Sequence, residues 1–599
     1  MVNGRLYRLS WLVAALALLV ALLTLESPGG TPEPPLPPAF DAVAARVIAV
    51  DLATVAPERV PGSQGDVASA RWVADQLGAV PGATRVVRQR FSVTAPAGRV
   101  VTENVYVALP ARTRQGNPGA LVISAPRDTP PGVRGGESGS AVLVQLARSL
   151  GTVARNRPVL IVSTGASTMG NAGARWFVSR FSGAPLAAAV SLDDPAGVPG
   201  GLHVWDDGQD ARRSIPMVAA AQQAAARADA PLAPAPGPFP QIAEMAVPQT
   251  SGDQAAYVAL GVPAVSLASR PESPLAGGTL PTADALGDSG RTAETLVASL
   301  DRSDALPAPA IGLLVNGREL RPVMSRLVIL LLALPLLVAA LDLAVRLRRA
   351  GVRLTPFIAA LLWRLLPVVA ALLVAHLLAM AGMIASPAGG WPPLAESVPF
   401  DLAATVAILL SVGAGVLTWL VVRHRAMRRD AEVASRAAAG VIALGGLCLV
   451  LWLISPFALL LALPAAHAAL VATRARRTWQ VVGLALVAAA PAVLLAWWAS
   501  GRIDRGVPYT AWYLLETTVS GARGVAGPVV AAAVLVTAWS MGALVLSRVR
   551  RGLTSAGPYR PVPTDDERMA RRGQKPMPRR SIIRRGRKDG STPVGGGRS

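Results

Sequence analysis

Residues 157–178 read RPVLIVSTGASTMGNAGARWFV, a short apolar run followed by a segment that can wind into a helix. The apolar run at 159–162 is rich in branched side chains, which is typical of a strand covered on both faces. In an α/β domain, ligands and catalytic groups gather at the carboxyl ends of the strands. Here that position holds Ala166 and Ser167, which are neither strong acids or bases nor good metal ligands. We therefore expect a site position that is almost empty of chemistry.

Strand and helix patterns alternate on both sides of this stretch. Strand candidates occur at 85–93, 101–108, 120–125, 159–162, 187–192 and 264–268. Helical patterns occur at 66–77, 138–150, 170–181, 217–228, 253–260 and 289–300. Such alternation predicts βαβ units, and hence an α/β domain with a largely parallel sheet flanked by helices.

The second half of the chain has the composition of a membrane protein. Hydrophobic residues make up 52% of the sequence and the mean hydropathy is +0.43, too apolar for a wholly soluble chain. An α-helical transmembrane bundle of about seven spans is predicted at 327–345, 361–384, 402–422, 438–454, 457–472, 481–499 and 525–546. The two halves around Ser455 are short, and together they could instead form a re-entrant hairpin.

Arginine placement predicts the topology of these spans. The loops expected inside hold twelve arginines (346–353, 423–436 and 474–477), against three in the short outer loops. This predicts a multi-pass plasma-membrane protein whose residues 29–325 lie outside the cytoplasm. The expected domains are a signal anchor (1–28), a Pro-rich linker (29–39), an extracytoplasmic domain (40–305), a linker (306–325), a membrane domain (326–547) and a basic cytoplasmic tail (548–599).

The formal charge of +22 is concentrated in the tail, where 548–599 holds 15 basic and 4 acidic residues. Polybasic segments beside a membrane span attract anionic lipid. Tyr559 is the one aromatic residue of this tail, so aromatic residues do not alternate with the arginines and nucleic-acid binding is not expected. Only two of the 58 basic residues are lysines, a composition typical of GC-rich coding, as in many actinobacteria.

Six motifs of the region before the spans occur in an order that resembles one enzyme family. They are RVPGSQG (59–65), VISAPRD (122–128), SGSAVLVQLARSL (138–150), the stretch at 157–178, AAAVSLDD (187–194) and SGDQAAYVALGVPAVSL (251–267). Together they resemble the M28 family of zinc aminopeptidases over residues 44–300. The resemblance implies a mixed central sheet and, in active members, two zinc ions bridged by a carboxylate.

The residues that this resemblance would assign to zinc chemistry are mostly of the wrong type. The first ligand histidine falls on Pro126 and the bridging aspartate falls at about Gly135. The paired glutamates, one a general base and one a ligand, fall on Ala166 and Ser167. The late ligand histidine falls near Thr279, and the one ligand carboxylate that remains is Asp193, or Asp194 if the register shifts by one.

A count of histidines supports the same reading. The sequence has four, and His203 is the one that precedes the membrane region. One histidine without cysteines cannot build the usual pair of zinc shells. The leading hypothesis is a non-catalytic, M28-like binding or assembly module of the cell envelope, with no cofactor and with a peptide, glycan, lipid or envelope protein as its partner. Two alternatives stay open: an active zinc aminopeptidase with atypical ligands, and a transporter or channel with a receptor-like outer domain.

Several remaining polar residues could belong to a binding site or could only stabilise the fold. Asp128, Asp193, Asp194 and Asp253 could line a pocket, or cap helices and hold loops. The run Asp206, Asp207 and Asp210 misses the calcium-loop spacing and predicts a solvated turn. Within the spans, Asp342 could pair with Arg364, which could equally snorkel, and His376 is expected to be hydrogen-bonded in the bundle.

Overall fold

The computed structural model describes most of the chain between residues 3 and 538. The described ranges are 3–95, 98–112, 119–198, 201–208, 210–248, 252–270, 280–304, 307–351, 355–384, 398, 400–428, 433–475, 477–503, 506–521, 529–534 and 536–538. Thr279, the basic tail and most of the predicted span at 525–546 lie outside these ranges.

A seven-stranded sheet forms the centre of the α/β domain, in the order β1-β2-β4-β3-β5-β7-β6. Its strands are β1 (Val87–Ala95), β2 (Gly98–Leu109), β3 (Ala120–Pro126), β4 (Val159–Thr164), β5 (Leu186–Asp193), β6 (His203–Trp205) and β7 (Ala264–Ala268). The side chains of β4 and β7 are buried throughout, as expected for strands covered by helices on both faces.

The sheet is mixed. β3, β4, β5 and β7 run parallel, whereas β1 and β2 at one side and β6 at the other run antiparallel to their neighbours. The four parallel strands end at Pro126, Thr164, Asp193 and Ala268, on one edge of the sheet that we call the carboxyl edge. The predicted α/β fold with a mixed sheet and flanking helices is confirmed. β6 was not predicted, because three residues are too few to show a pattern.

Helices cover both faces of this sheet. They are α2 (Ala42–Val55), α3 (Gln64–Gly78), α4 (Glu137–Thr152), α5 (Ala172–Arg180), α6 (Ile215–Arg227), α7 (Pro238–Ala246), α8 (Gln254–Ala259) and α9 (Ala283–Asp301). Side-chain caps fix several starts: Asp41 accepts from two amides of α2, and Ser63 and Thr282 cap α3 and α9. Two of these helices, α2 and α7, were not predicted from the sequence.

Apolar helices form a bundle beside the α/β domain. They are α1 (Gly4–Leu23), α10 (Pro322–Arg349), α11 (Thr355–Met380), α12 (Leu402–Arg428), α13 (Val433–Ile454), α14 (Pro456–Ala472), α15 (Thr478–Ile503) and α16 (Val507–Val519). Five of the described helices, α1, α10, α11, α12 and α15, contain a segment long and apolar enough to cross a membrane. The apolar parts of α13 and α14 are shorter, which agrees with the doubt about the pair around Ser455.

The first helix packs against the bundle. His467 Nε2 of α14 lies 3.2 Å from the Leu332 carbonyl of α10, and its Nδ1 lies 3.2 Å from the Tyr7 hydroxyl of α1. The chain leaving α1 then pairs with the hairpin formed by β8 (Leu313–Val315) and β9 (Arg318–Leu320), through two backbone hydrogen bonds between Glu26 and Glu319. The two connections between the bundle and the α/β domain therefore run side by side.

Candidate functional site

A carboxylate at the end of β3 holds the turn that follows β4. Asp128 Oδ1 accepts from the Ser167 amide at 2.9 Å, and Asp128 Oδ2 accepts from the amide and hydroxyl of Thr168 at 2.9 and 2.7 Å. Ala166 opens the turn with a φ of 55°, a left-handed conformation that a non-glycine residue adopts only when its surroundings hold it there. Burial raises the pKa of Asp128, and these three donors oppose the rise. The Asp128 carboxylate therefore acts as the cap of this turn.

Asp253 reaches the same turn from the start of α8. Its Oδ1 accepts from the Ser167 hydroxyl at 2.9 Å and its Oδ2 from the Thr164 hydroxyl at 2.5 Å. The residue is fully buried. Burial, together with the nearby charge of Asp193, raises the pKa of Asp253 to about 8, so its carboxyl group is mostly protonated at neutral pH.

Asp193 ends β5 and is enclosed by hydroxyl groups. Its Oδ1 accepts from Ser191 at 3.0 Å, and its Oδ2 accepts from the hydroxyl of Ser266 on β7. The backbone amide of Asp253 also donates to it. Burial raises the pKa of Asp193 to about 6 against the opposing effect of these donors. Its oxygens are thus already used by neighbours on β5, β7 and α8.

Asp194 turns the chain away from β5. Its φ is 48°, and its Oδ1 accepts from the hydroxyl of Ser138, at the start of α4, at 2.5 Å. An added Cβ at Gly197 would lie 1.9 Å from Asp194 Oδ2, so a larger residue there would displace this carboxylate. Burial raises the pKa of Asp194 to about 6. The four aspartates singled out in the sequence do lie together at the carboxyl edge, but each is bonded to the chain around it.

A buried arginine that the sequence analysis missed shapes the loop before α4. Arg59 is fully buried, and its guanidinium donates to the carbonyls of Ala56, Arg127 and Gly135 at 2.8, 2.6 and 2.5 Å. It also pairs with Glu137 at 3.2 Å. Gly135, which the resemblance assigned to a bridging aspartate, therefore contributes its carbonyl to an arginine. The partners are mostly backbone groups, so no pattern of side chains in the sequence signals this role.

The residues at the carboxyl edge do not fit a two-zinc site. Zinc is bound by imidazole, thiolate or carboxylate ligands in a near-tetrahedral shell. The side chains of Pro126 and Ala166 offer none, and Ser167 offers only a neutral hydroxyl. Within the described ranges, no group of three or more His, Cys, Asp and Glu side chains could hold a metal ion. The position assigned to Thr279 lies outside those ranges.

His203, which precedes the membrane region in the sequence, begins β6 and pairs with Ala268 of β7, the residue that pairs with Asp193 on its other side. Its ring stacks on Trp205 with 5.9 Å between ring centroids and 9° between planes. Burial lowers the pKa of His203 below its usual value, which favours the neutral ring. The structure thus uses this histidine in an aromatic stack.

A second polar cluster joins the α/β domain to the bundle. Arg502, at the end of α15, pairs with Glu244 of α7 and lies 3.4 Å from Asp207 Oδ2. Its guanidinium also stacks over the Trp205 ring at 4.7 Å. Asp206 beside it accepts from Arg213 at 2.6 and 3.0 Å. We call Asp206, Asp207, Arg213, Glu244 and Arg502 the junction cluster.

The junction cluster corrects one sequence prediction. Asp206 and Asp207 are 1% and 5% exposed, so the prediction of a solvated turn was wrong for them. Only Asp210 lies at the surface, where it pairs with Arg212. Burial raises the pKa values of Asp206 and Glu244, whereas the arginines beside them lower these values. The ion pairs of Arg502 cross from one domain to the other, and the order of the sequence does not reveal such partners.

The intramembrane polar residues lie on α10 and α11. Asp342 Oδ1 accepts from Arg346 Nε one helical turn later, at 3.0 Å, so a partner on its own helix was overlooked. Arg364 and His376 are both half-buried on α11. In the described part of the chain, His376 Nδ1 has no hydrogen-bond partner. These residues do not converge on one described site.

The solved structures that are similar to this chain match less than half of it. No family model and no curated protein matches the chain. Three similar solved structures are a leucine aminopeptidase precursor from Bacteroides thetaiotaomicron, a zinc aminopeptidase from Bacillus subtilis and a glutaminyl cyclase from an Acidobacteriales bacterium. Their identities are 16, 12 and 18%, and their TM-scores are 0.37, 0.34 and 0.34. The matches cover 44, 43 and 45% of this chain and 98, 94 and 97% of theirs. At these values the likeness carries no argument about the chemistry of the site.

Proposed function

We propose that this chain is a multi-pass plasma-membrane protein whose α/β domain is a non-catalytic binding or assembly module outside the cytoplasm. The domain keeps the order of motifs that resembles M28 peptidases. Pro126, Ala166, Ser167 and Thr279 replace the ligands and the base that this resemblance implies. The proposed partner is a peptide, glycan, lipid headgroup or envelope protein, and no metal or other cofactor is needed.

The buried, hydrogen-bonded aspartates at the carboxyl edge are the observation that carries this proposal. A hydrolytic site must leave room for a substrate and for the water that attacks it. Here Asp128, Asp193 and Asp253 are at most 4% exposed, and hydroxyl or amide donors bond their carboxylates. A cluster of this kind stiffens the ends of the parallel strands. It supports a scaffold role better than a catalytic one.

The junction cluster supports a module that works with the bundle. Met245 of α7 belongs to the same buried apolar cluster as residues of α10, α13 and α14. Glu244 beside it pairs with Arg502 of α15. The topology predicted from the arginines places Arg502 on the outer side, which agrees with an α/β domain on that side. The tail at 548–599 then lies in the cytoplasm, where anionic lipid would attract it.

Metal content and activity of the full-length protein test the proposal. We expect zinc well below one ion per chain by elemental analysis, and no release of product from leucine p-nitroanilide. Asp193→Ala should change neither readout, and Asp210→Ala at the surface is the matched control. One or two zinc ions per chain, together with activity that Asp193→Ala abolishes, would show an active enzyme with atypical ligands.

The contact of α7 with the bundle also favours a second candidate, a transporter or channel whose outer domain acts as a receptor. In that case Asp342→Asn or His376→Ala should impair the function of cells that depend on this gene, while the α/β domain stays folded. If neither change has an effect, the intramembrane polar residues give this candidate no support.

A further inference from the structure

Helix α2 carries apolar side chains on two opposite faces. Its inward face packs into the core of the α/β domain through four buried residues, Ala45, Ile48, Ala49 and Leu52. On its outward face, Val43, Val47 and Val50 are 69, 64 and 41% exposed. A helix that is covered on one side ordinarily presents polar residues on the other. The outward row of valines is therefore a candidate contact surface.

The spacing of this row is that of a coiled-coil seam. Steps of four, three and four residues separate Val43, Val47, Val50 and Thr54, which places them at successive d, a, d and a positions of a heptad repeat. Thr54 donates its hydroxyl to the Val50 carbonyl at 2.8 Å, so its polar group is satisfied within the helix. We call these four residues the α2 seam.

The charged residues beside the α2 seam fit a second copy of the same helix. Arg46 precedes an a position and Asp51 follows a d position, so they hold the g and e positions that flank the seam. In a parallel pair, a g residue lies beside the e residue five positions later on the other helix, which joins Arg46 to Asp51 on both sides. In an antiparallel pair, g faces g and e faces e, which brings like charges together. The charges therefore select a parallel pair.

Both charges remain available to such a partner. Arg46 and Asp51 are exposed, and neither forms an ion pair with another described residue. Asp51 Oδ2 accepts from Trp72 Nε1 at 2.7 Å, but the indole is a neutral donor and leaves the carboxylate charge uncompensated. A lipid surface would match the valines, yet it would offer no counter-charge to Asp51. A second copy satisfies the valines and both charges at once.

We propose that two copies of this protein pair through the α2 seam, as parallel helices with Arg46 of each beside Asp51 of the other. The inference goes beyond the proposed function, because it concerns a contact between copies. With 14 residues α2 is about 21 Å long, whereas a standard interface buries roughly 800 Å² per partner. The seam is thus small, and we expect pairing to depend on two copies being held in one membrane, which raises their effective concentration.

Disulfide trapping of the full-length protein, in membranes of cells that produce it, tests this pairing. Cys448, the one cysteine of the sequence, is buried in the bundle and is replaced by alanine. Identical seam positions meet in a parallel pair, so Val50→Cys should form a covalent dimer on mild oxidation. Val67→Cys on α3 is the matched control, because it also replaces an exposed valine but lies off the seam. We expect the control to crosslink about tenfold more slowly.

Exchange of charges separates specific pairing from chance collision. In the Val50→Cys background, Arg46→Glu alone and Asp51→Arg alone should each slow crosslinking about tenfold, because each brings like charges together on both sides of the seam. Differently tagged copies of these two variants, produced together, should crosslink with each other at the original rate, since both opposite-charge contacts return. That recovery also excludes a folding defect from the lost hydrogen bond of Trp72. Arg71→Glu, at an exposed position on α3, should change nothing.

The possible failures are distinguishable. Equal crosslinking of Val50→Cys and Val67→Cys, an unchanged rate in Arg46→Glu, or no recovery with the mixed copies would overturn the inference. Trapping of a different protein at position 50 without a dimer would overturn it too, because another partner would then occupy the seam. None of these results bears on zinc content or activity, so the proposed function would still stand. Zinc and an activity that Asp193→Ala abolishes would overturn the proposed function and leave the pairing intact.

Discussion

Replacing Arg502 by leucine should loosen the contact between the α/β domain and the helix bundle. Arg502 is 6% exposed, and it pairs with Glu244 and Asp207 while stacking over Trp205. Without it, Glu244 and Asp207 lose the arginine that pairs with both of them. Leucine fills part of the same volume, so the lost ion pairs are the main change.

The magnitude follows from the burial of both partners. Removing one member of a buried ion pair costs about 3–5 kcal/mol, because the remaining charge is left uncompensated. A change of 1 kcal/mol shifts the Tm of a domain of this size by roughly 2–4 °C, so a shift on the order of 10 °C is expected. The exposed pair of Arg321 and Glu26 is the matched control, since surface pairs contribute roughly 0–1 kcal/mol.

Thermal unfolding of the full-length protein in detergent, followed by tryptophan fluorescence, measures this effect. A double-mutant cycle of Arg502→Leu and Glu244→Leu gives the coupling energy, and hydrogen exchange should show that protection is lost first in α7. The reasoning is wrong if Arg502→Leu and Arg321→Gln lower the Tm equally. It is also wrong if the cycle gives no coupling between Arg502 and Glu244.

Three further changes test other parts of the fold. The pKa of Asp253 is higher in the folded than in the unfolded state, so its contribution to stability is full at low pH and is lost as pH rises. The free energy of unfolding should therefore fall by about 2 kcal/mol between pH 6 and 8. Asp253→Asn should flatten that part of the Tm profile, and an unchanged slope would contradict the assignment. Arg59→Met should lower the free energy of unfolding by about 3–5 kcal/mol in urea titrations, because Glu137 stays buried without its partner; a loss below 1 kcal/mol would show that the loop does not need it. Asp128→Ala should cost about 1–3 kcal/mol and increase amide exchange at Ser167 and Thr168, whereas unchanged exchange would exclude the cap.

Regular elements of the α/β domain could be predicted because their patterns are local. Branched apolar runs identified the central strands, and the strand ends brought Asp128 and Asp193 to one edge, as parallel strands require. α7 was missed because it is nine residues long and begins with two prolines in three residues. A short helix of this kind owes its stability to packing against α14, which no local pattern records.

The roles of the polar residues could not be predicted, because their partners are distant in the sequence. Arg502 is 258 residues from Glu244, and Arg59 is 76 residues from the Gly135 carbonyl. The sequence placed a carboxylate at the end of β5 but did not show which hydroxyl groups would surround it. Burial and pKa values depend on these surrounding groups. The sequence therefore does not show whether the aspartates line an open pocket or form a buried, hydrogen-bonded cluster.

The contacts of α1 have a consequence for how the protein would respond to proteolysis. Tyr7 meets His467 within the bundle, and Glu26 bridges Glu319 just beyond the end of the helix. A cut in the proline-rich segment after Glu26 would break the covalent chain but leave both attachments in place. The cleaved helix α1 would then stay bound as a small non-covalent subunit. A denaturing gel would show two fragments, whereas native electrophoresis would still show one particle.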